Sequence, residues 1–252
     1  MELIINGLVV TGAGMLAVRL GLSGLHRRYR AFFVFLIFFA LQSLAVVLGG
    51  LNSRFYYVFY VSTEPLAWFT NAWVVLELYS LVLKDYKGLY TAGRWCLLAA
   101  IVIALTGSGA SLLLPSHATR QGHLLAFYYV AERAVYLSLV VFLLAILALL
   151  TRYPIALNRN TMAHSIIFPV YFLITCAAFL LVSTRGYSAI HTGAYLIEGV
   201  NLGALAAWLA LLNPAGERCE RRVRPAWMPG QDDELAKQLS ALNAALLRAV
   251  RA

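Results

Sequence analysis

Charged side chains are scarce in this 252-residue chain, and acidic ones are the scarcest. Charged residues make up 12% of the sequence, against about 25% in a typical soluble domain. Hydrophobic residues account for 62%, a share that would cause aggregation in water but is ordinary within a lipid bilayer. The composition therefore excludes an ordinary water-soluble domain and predicts a membrane protein.

Cysteine and the other residues of reactive chemistry are also rare or scattered. Cys96, Cys176 and Cys219 form an odd set in three separate regions, which gives no disulfide framework. The five histidines lack the spacing of a metal or haem site, and no nucleophile lies beside a candidate base. The sequence therefore predicts no cofactor, no bound metal and no enzyme activity.

Long apolar stretches, by contrast, occupy most of the chain. A helix needs about 20 mostly apolar residues to cross the hydrocarbon core of a bilayer. Seven stretches qualify, at 3–22, 31–50, 58–83, 95–115, 125–150, 162–184 and 190–212. They predict an all-α, polytopic membrane protein, a bundle of seven transmembrane helices joined by short loops.

The basic residues alternate between the loops and so predict an orientation. Of the 20 Lys and Arg, most lie at 19–30, 84–94, 151–161 and in the tail after residue 213, whereas the alternate loops hold Arg54, Arg120 and Arg185. Basic loops face the cytoplasm, which predicts an outer N-terminus and an inner C-terminus. The net charge of +9 is thus expected to contact the bilayer surface, not nucleic acid, and the expected location is the inner (plasma) membrane.

This layout resembles microbial rhodopsins and G-protein-coupled receptors in topology only. Retinal proteins need a lysine in the last span to form the Schiff base. The three lysines here, Lys84, Lys87 and Lys237, all lie outside the spans. Covalent retinal is therefore excluded.

The chain divides into three predicted parts: the membrane domain at 1–213, a basic irregular linker at 214–231, and an amphipathic cytoplasmic helix at 232–252. In that helix the leucines recur every three or four residues and so share one face. They are Leu235, Leu239, Leu242 and Leu246. The helix either lies on the inner leaflet or docks on a protein partner, and both alternatives remain open.

Ionisable residues inside the predicted spans give the strongest functional signal. Glu64, Glu132, Arg133 and Glu198 lie there, although a charge at the bilayer centre costs at least about 2.5–3.5 kcal/mol on insertion scales. They are expected to face the bundle interior at similar depths, towards the outside. Glu64 belongs to this layer if the third helix runs through Pro65, and lies at its outer end if the helix starts with Thr63 as N-cap.

Aromatic and polar residues share helical faces with these charges, as in the lining of small-ligand pockets. The candidate pocket comprises Glu64, Trp68, Tyr129, Glu132, Arg133, His191, Tyr195 and Glu198. The same groups could instead form a network that only fixes helix packing, or a proton relay. The leading hypothesis is a sensor or receptor that binds a small polar or cationic ligand and signals through its tail. The alternatives are an accessory subunit of a membrane complex and a small proton- or ion-coupled transporter.

Overall fold

The computed structural model describes residues 2–49, 54–84, 86–111, 123–153, 156–185, 189–218, 220–222 and 231–251. Nearly all of these residues are helical. The α-helices are α1 (Glu2–Leu22), α2 (Arg30–Gly49), α3 (Arg54–Val82), α4 (Lys87–Ser111), α5 (His123–Arg152), α6 (Arg159–Arg185), α7 (Ile190–Leu211) and α8 (Gln231–Arg251). The prediction of an all-helical membrane bundle is confirmed.

Six helices within the described residues are long and apolar enough to cross a membrane. These spans are Ile4–Leu22, Arg30–Gly49, Lys87–Thr106, Val130–Arg152, Arg159–Val182 and Ile190–Leu211. Of the seven predicted spans, the one missing from this set is α3, although its 29 residues would extend about 43 Å. Its hydropathy is lowered by buried polar residues, among them Glu64, Thr70 and Asn71. Six of the seven predicted spans are thus supported by length and composition.

The helices pack in the order expected for short connections. Consecutive helices are mostly neighbours, α1 packs against α7, and α3 lies against both α5 and α6. Large aromatic rings fill the space between α2, α6 and α7, where Phe32 lies 4.8 Å from Trp208 and 5.8 Å from Phe168 between ring centroids. A tightly packed aromatic core therefore holds this part of the bundle together.

The basic segments of the chain converge at one end of the bundle. The Tyr29 hydroxyl, just before α2, lies 3.2 Å from the Thr161 hydroxyl near the start of α6. The carboxylate of Glu77, near the end of α3, accepts hydrogen bonds from the backbone N–H groups of Ala31 and Phe32. These N–H groups have no partner within α2, and a carboxylate at a helix N-terminus also interacts favourably with the helix dipole. The end of α3 is thereby fixed beside the start of α2.

Glu217 is the centre of this end of the bundle. Its carboxylate accepts hydrogen bonds from Tyr29 at 2.6 Å, Asn160 at 2.7 Å and Asn158 at 3.0 Å, and pairs with the Arg28 Nε atom at 2.9 Å. We call these five residues the Glu217 hub. Three separate segments of the chain meet there, so the hub fixes their relative positions.

The segment after Asn213 is more ordered than an irregular linker. Pro214–Glu217 forms a 3₁₀ helix, and strand β2 (Glu220–Arg222) pairs antiparallel with strand β1 (Ala156–Asn158). A Cβ atom at Gly216 would collide with the Asn160 side chain, so this turn needs a glycine for close approach. Residues 223–230 of the predicted linker lie outside the described residues.

The C-terminal helix α8 packs on the start of α4. The Asn243 side chain accepts hydrogen bonds from the backbone N–H groups of Gly88 at 2.7 Å and Leu89 at 3.4 Å, and so caps the N-terminus of α4. A Cβ atom at Gly88 would collide with the Asn243 backbone. On the predicted apolar face of α8, Leu239 is 1% exposed and Leu242 is 43% exposed, and Leu235 and Leu246 are partly buried. The chain itself therefore covers part of this face.

Candidate functional site

The third helix continues through Pro65, so the alternative start at Thr63 is wrong. A proline has no N–H, so it leaves the carbonyl four residues earlier without its helical partner. That carbonyl belongs to Val61, and the Tyr128 hydroxyl of α5 donates to it at 2.9 Å. The tyrosine thus replaces the missing helical hydrogen bond and ties α3 to α5 one turn before Glu64.

Two carboxyl groups meet between α3 and α5. Glu64 is 3% exposed and Glu132 is 4% exposed, and the two side chains lie close enough for each to affect the charge of the other. The Tyr60 hydroxyl donates to the Glu132 Oε2 atom at 3.0 Å. Two carboxylates repel, whereas a carboxylic acid donates to a carboxylate. This carboxyl pair therefore requires a shared proton or a bound cation.

Aromatic rings surround the carboxyl pair. The Trp68 ring lies 5.7 Å from the Tyr128 ring between centroids, and the Tyr60 ring lies 6.4 Å from it. The buried indole nitrogen of Trp68 lies beside Glu64 without hydrogen-bond geometry. Aromatic faces attract cations, so the aromatic rings and the carboxyl groups both favour a positively charged ligand.

A second polar contact lies beyond the carboxyl pair, further along the two helices. The Asn71 side chain of α3 lies 3.5 Å from the Tyr136 hydroxyl of α5, and both residues are buried. Tyr136 in turn stacks on Phe172 and Phe179 of α6. Polar groups of α3 therefore face α5 over three helical turns, from Tyr60 to Asn71.

The face of α5 that meets α3 differs from the predicted one. Tyr128, Glu132 and Tyr136 make the polar contacts with α3, at a spacing of four, whereas the candidate pocket predicted from sequence contains Tyr129 and not Tyr128. The spacing of four residues before Glu132 is a sequence signal for Tyr128. This signal can be used only if one also considers that Pro65 leaves the Val61 carbonyl without its helical hydrogen bond. The side chain of Tyr129 lies outside the described part of the chain.

Arg133 follows Glu132 on a neighbouring face of α5 and is half-buried. Its backbone carbonyl lies 3.7 Å from the Cys176 thiol of α6. At the α3–α5 contact, the side chain of Glu64 lies beside that of Glu132.

The predicted residues on α7 lie elsewhere in the bundle. The Asn6 amide of α1 donates to the Glu198 Oε1 atom at 3.5 Å, so Glu198 belongs to the contact between α1 and α7. His191 is exposed, and Tyr195 is 48% exposed on the outer surface of the bundle. The structure therefore brings Glu64, Trp68 and Glu132 together, whereas Glu198 lies at the α1–α7 contact and His191 and Tyr195 lie on the surface of the bundle.

The donor set at the carboxyl pair limits what it can hold. Among the described residues, no group of three His, Cys, Asp or Glu side chains lies close enough to share a metal ion. Two carboxyl groups and a tyrosine hydroxyl within an aromatic wall suit a proton or a small cation with few ligands.

Composition and architecture together define a multi-pass helical membrane protein. Comparisons of the chain with protein-family models, with curated proteins and with solved structures find no match.

Proposed function

We propose that this protein is a seven-transmembrane sensor whose carboxyl pair binds a small cation, the proton being the smallest. Its N-terminus lies outside the cell membrane and its C-terminus in the cytoplasm. The observation that carries the proposal is the contact between Glu64 and Glu132, two carboxyl groups buried side by side at a helix contact.

The seven-span topology is supported by contacts at the hub end of the bundle. Glu77 binds the start of α2 from the end of α3, so α3 runs the full length of its neighbour in the opposite direction. Tyr29, Thr161 and Glu217 meet at this same end. These contacts support α3 as a seventh span, and they support an orientation with the basic segments on one side, as the positive-inside rule requires.

The depth of the carboxyl pair supports access from the side opposite the hub. Glu64 lies ten residues after the first residue of α3, and Glu132 lies nine residues after that of α5. At 1.5 Å per residue these positions are about 15 and 14 Å from the helix starts. A cation entering from the outer surface would cross less than half of α3 to reach the pair.

A route to the cytoplasmic side is supported by helix packing. Helix α5 carries Glu132 and packs along α4, and α4 packs against α8. Neutralising the repulsion between the two carboxylates would draw α3 and α5 together and shift α5 against α4. We expect this shift to change how firmly Asn243 of α8 caps α4, and so to expose the apolar face of α8 to a partner.

The cation site is tested by fluorescence in lipid nanodiscs, because Trp68 lies beside Glu64. Protons, alkali ions and organic ammonium ions are titrated in turn, and Trp68→Phe assigns the signal. Glu64→Gln and Glu132→Gln are expected to abolish the response. Glu198→Gln, which changes a span carboxyl at another helix contact, is the matched control and should retain it. A response that survives both substitutions in the pair would contradict the cation site.

The route to α8 is tested by hydrogen exchange of the α8 amides with and without the effective cation. We expect binding to change α8 exchange in the wild type but not in Glu132→Gln. Gly88→Leu, whose side chain would collide with the Asn243 backbone and push α8 away from α4, should raise exchange under both conditions. Gly14→Leu on α1, where space is open, should not. Cation-driven proton uptake into vesicles without any change in α8 would indicate a transporter instead.

A further inference from the structure

A cavity whose lining differs chemically from the carboxyl pair lies between α6 and α7. It is a groove of 490 Å³, within the range of about 300–1,000 Å³ that small-molecule sites occupy. Its lining is apolar apart from two tyrosines, and it includes Ile166, Val170, Tyr171, Tyr195, Gly199 and Gly203. We call it the α6–α7 groove.

The groove faces the lipid side of the bundle. Ile166 and Val170 on its α6 wall are each 50% exposed, and Tyr195 on its α7 wall is 48% exposed. Gly199 and Gly203 leave open space where side chains would otherwise project, since no atom lies within 4 Å of a Cβ built at either position. A molecule could therefore enter sideways from the bilayer and lie against the backbone of α7.

The side chain of one tyrosine, Tyr171, lines this groove and is mostly buried. Tyr171 is 6% exposed, and its ring packs on Phe172, Phe35 and Trp208. Its hydroxyl makes no hydrogen bond with any residue that the structure describes, whereas polar groups inside proteins normally have a partner. A ligand that accepts one hydrogen bond would satisfy it.

The depth of Tyr171 selects the chemical class of the ligand. It lies twelve residues after Arg159 and eleven before Val182, the ends of the α6 span, and so near the middle of the membrane. A charged phospholipid head group cannot be drawn to this depth without a large cost. A neutral lipophile with a carbonyl group can reach it.

We propose that the α6–α7 groove binds a neutral, carbonyl-bearing lipophile of the prenylated benzoquinone type, with Tyr171 donating to a carbonyl oxygen and the tail lying along Gly199 and Gly203. The site is separate from the carboxyl pair, and the proposal does not depend on the cation sensor.

The test uses decylubiquinone carrying a photoreactive diazirine on its chain, with the full-length protein in nanodiscs. We expect saturable labelling of α6 and α7 peptides that unlabelled decylubiquinone displaces and decylbenzene, which lacks carbonyl groups, does not. Gly203→Leu should weaken binding at least about tenfold by filling the groove. Tyr171→Phe, which keeps the ring, should weaken it about three- to tenfold, the usual worth of one hydrogen bond.

Gly14→Leu places the same bulk on open lipid-facing space of α1 and should leave binding unchanged. Circular dichroism and size exclusion check that each variant is folded. Non-saturable labelling, labelling unaffected by Gly203→Leu, or equal displacement by decylbenzene would overturn the proposal. The proposal would also be overturned if the protein were a dimer that Gly203→Leu dissociates without altering the labelling. In that case a second copy of the chain would fill the groove.

Discussion

The carboxyl pair and the Glu217 hub use the same functional group in opposite ways. Glu217 has one carboxylate with three neutral donors and an arginine around it, so its negative charge is fully compensated. Glu64 and Glu132 face each other with a tyrosine as the hydrogen-bond donor to Glu132. A compensated carboxylate fixes structure, whereas a pair with too few donors needs a proton or cation from outside the protein.

The largest effect that separates the two regions is expected from Glu217→Gln. All four partners of Glu217 are donors, so an amide NH₂ in place of one oxygen would face donors and leave them unpaired. We expect a loss of about 3 kcal/mol, the scale of charged hydrogen bonds that become unsatisfied, seen as a lower unfolding midpoint in detergent. The exposed Glu234 on α8 provides the control, since Glu234→Gln should change stability by less than about 0.5 kcal/mol.

The pH dependence of the hub gives a second, smaller effect. Tyr29 lies outside the spans, and burial, reinforced by its hydrogen bond to Glu217, raises the pKa of its hydroxyl. Because the folded pKa exceeds the unfolded value of about 10, the contribution to stability is complete below pH 10 and is lost as pH rises above it. Stability measured from pH 8 to 11 should therefore fall less in Tyr29→Phe than in the wild type. An equal fall in both proteins would contradict this role.

A hydrogen bond beside the carboxyl pair gives a still smaller effect. Tyr128→Phe removes the donor to the Val61 carbonyl and should cost about 1 kcal/mol. In a Pro65→Ala background the helical N–H is restored and satisfies that carbonyl, so the same substitution should cost much less. A double-mutant cycle measures this coupling. Equal costs in both backgrounds would show that the tyrosine does not compensate for the proline.

The smallest stability effect is expected at the carboxyl pair itself. Glu64→Gln combined with Glu132→Gln replaces two groups that compete for too few donors by amides that can hydrogen-bond to each other. We expect stability to change by less than about 1 kcal/mol or to rise, because removing a buried charged pair is often neutral or stabilising. A loss of stability as large as that expected for Glu217→Gln would indicate that the carboxyl pair serves helix packing.

Much of the bundle could be predicted from sequence because a membrane span depends on length and apolar composition. The third helix is harder to predict, since Pro65 matches both a kink and a helix start, and only Tyr128 from α5 decides between them. Which face of α5 meets α3 also depends on packing. Tyr128 and Tyr129 are adjacent in the sequence, and only the packing against α3 shows that Tyr128 is the one in contact. The separation of Glu198 from Glu64 could not be predicted, because similar depth does not determine which helices are neighbours.

The Glu217 hub and the contact of α8 with the start of α4 could not be predicted from the sequence, for a related reason. Glu217 and Asn160 are ordinary polar residues in short connecting segments, and their partners come from distant parts of the chain. Asn243 lies in the sequence between the leucines of the apolar face of α8, so its capping role is not evident. Only the glycine at position 88 indicates that another backbone comes close. Long-range polar contacts of this kind leave no periodic signal.

The most direct test of the account is infrared spectroscopy of the carboxyl groups in nanodiscs at neutral pH without added cations other than protons. The shared proton at Glu64 and Glu132 predicts a carboxylic-acid carbonyl band that shifts in D₂O. That band should disappear in both Glu64→Gln and Glu132→Gln and persist in Glu198→Gln. A wild-type spectrum without this band, or a band unchanged by both substitutions, would contradict the claim that the pair holds a proton.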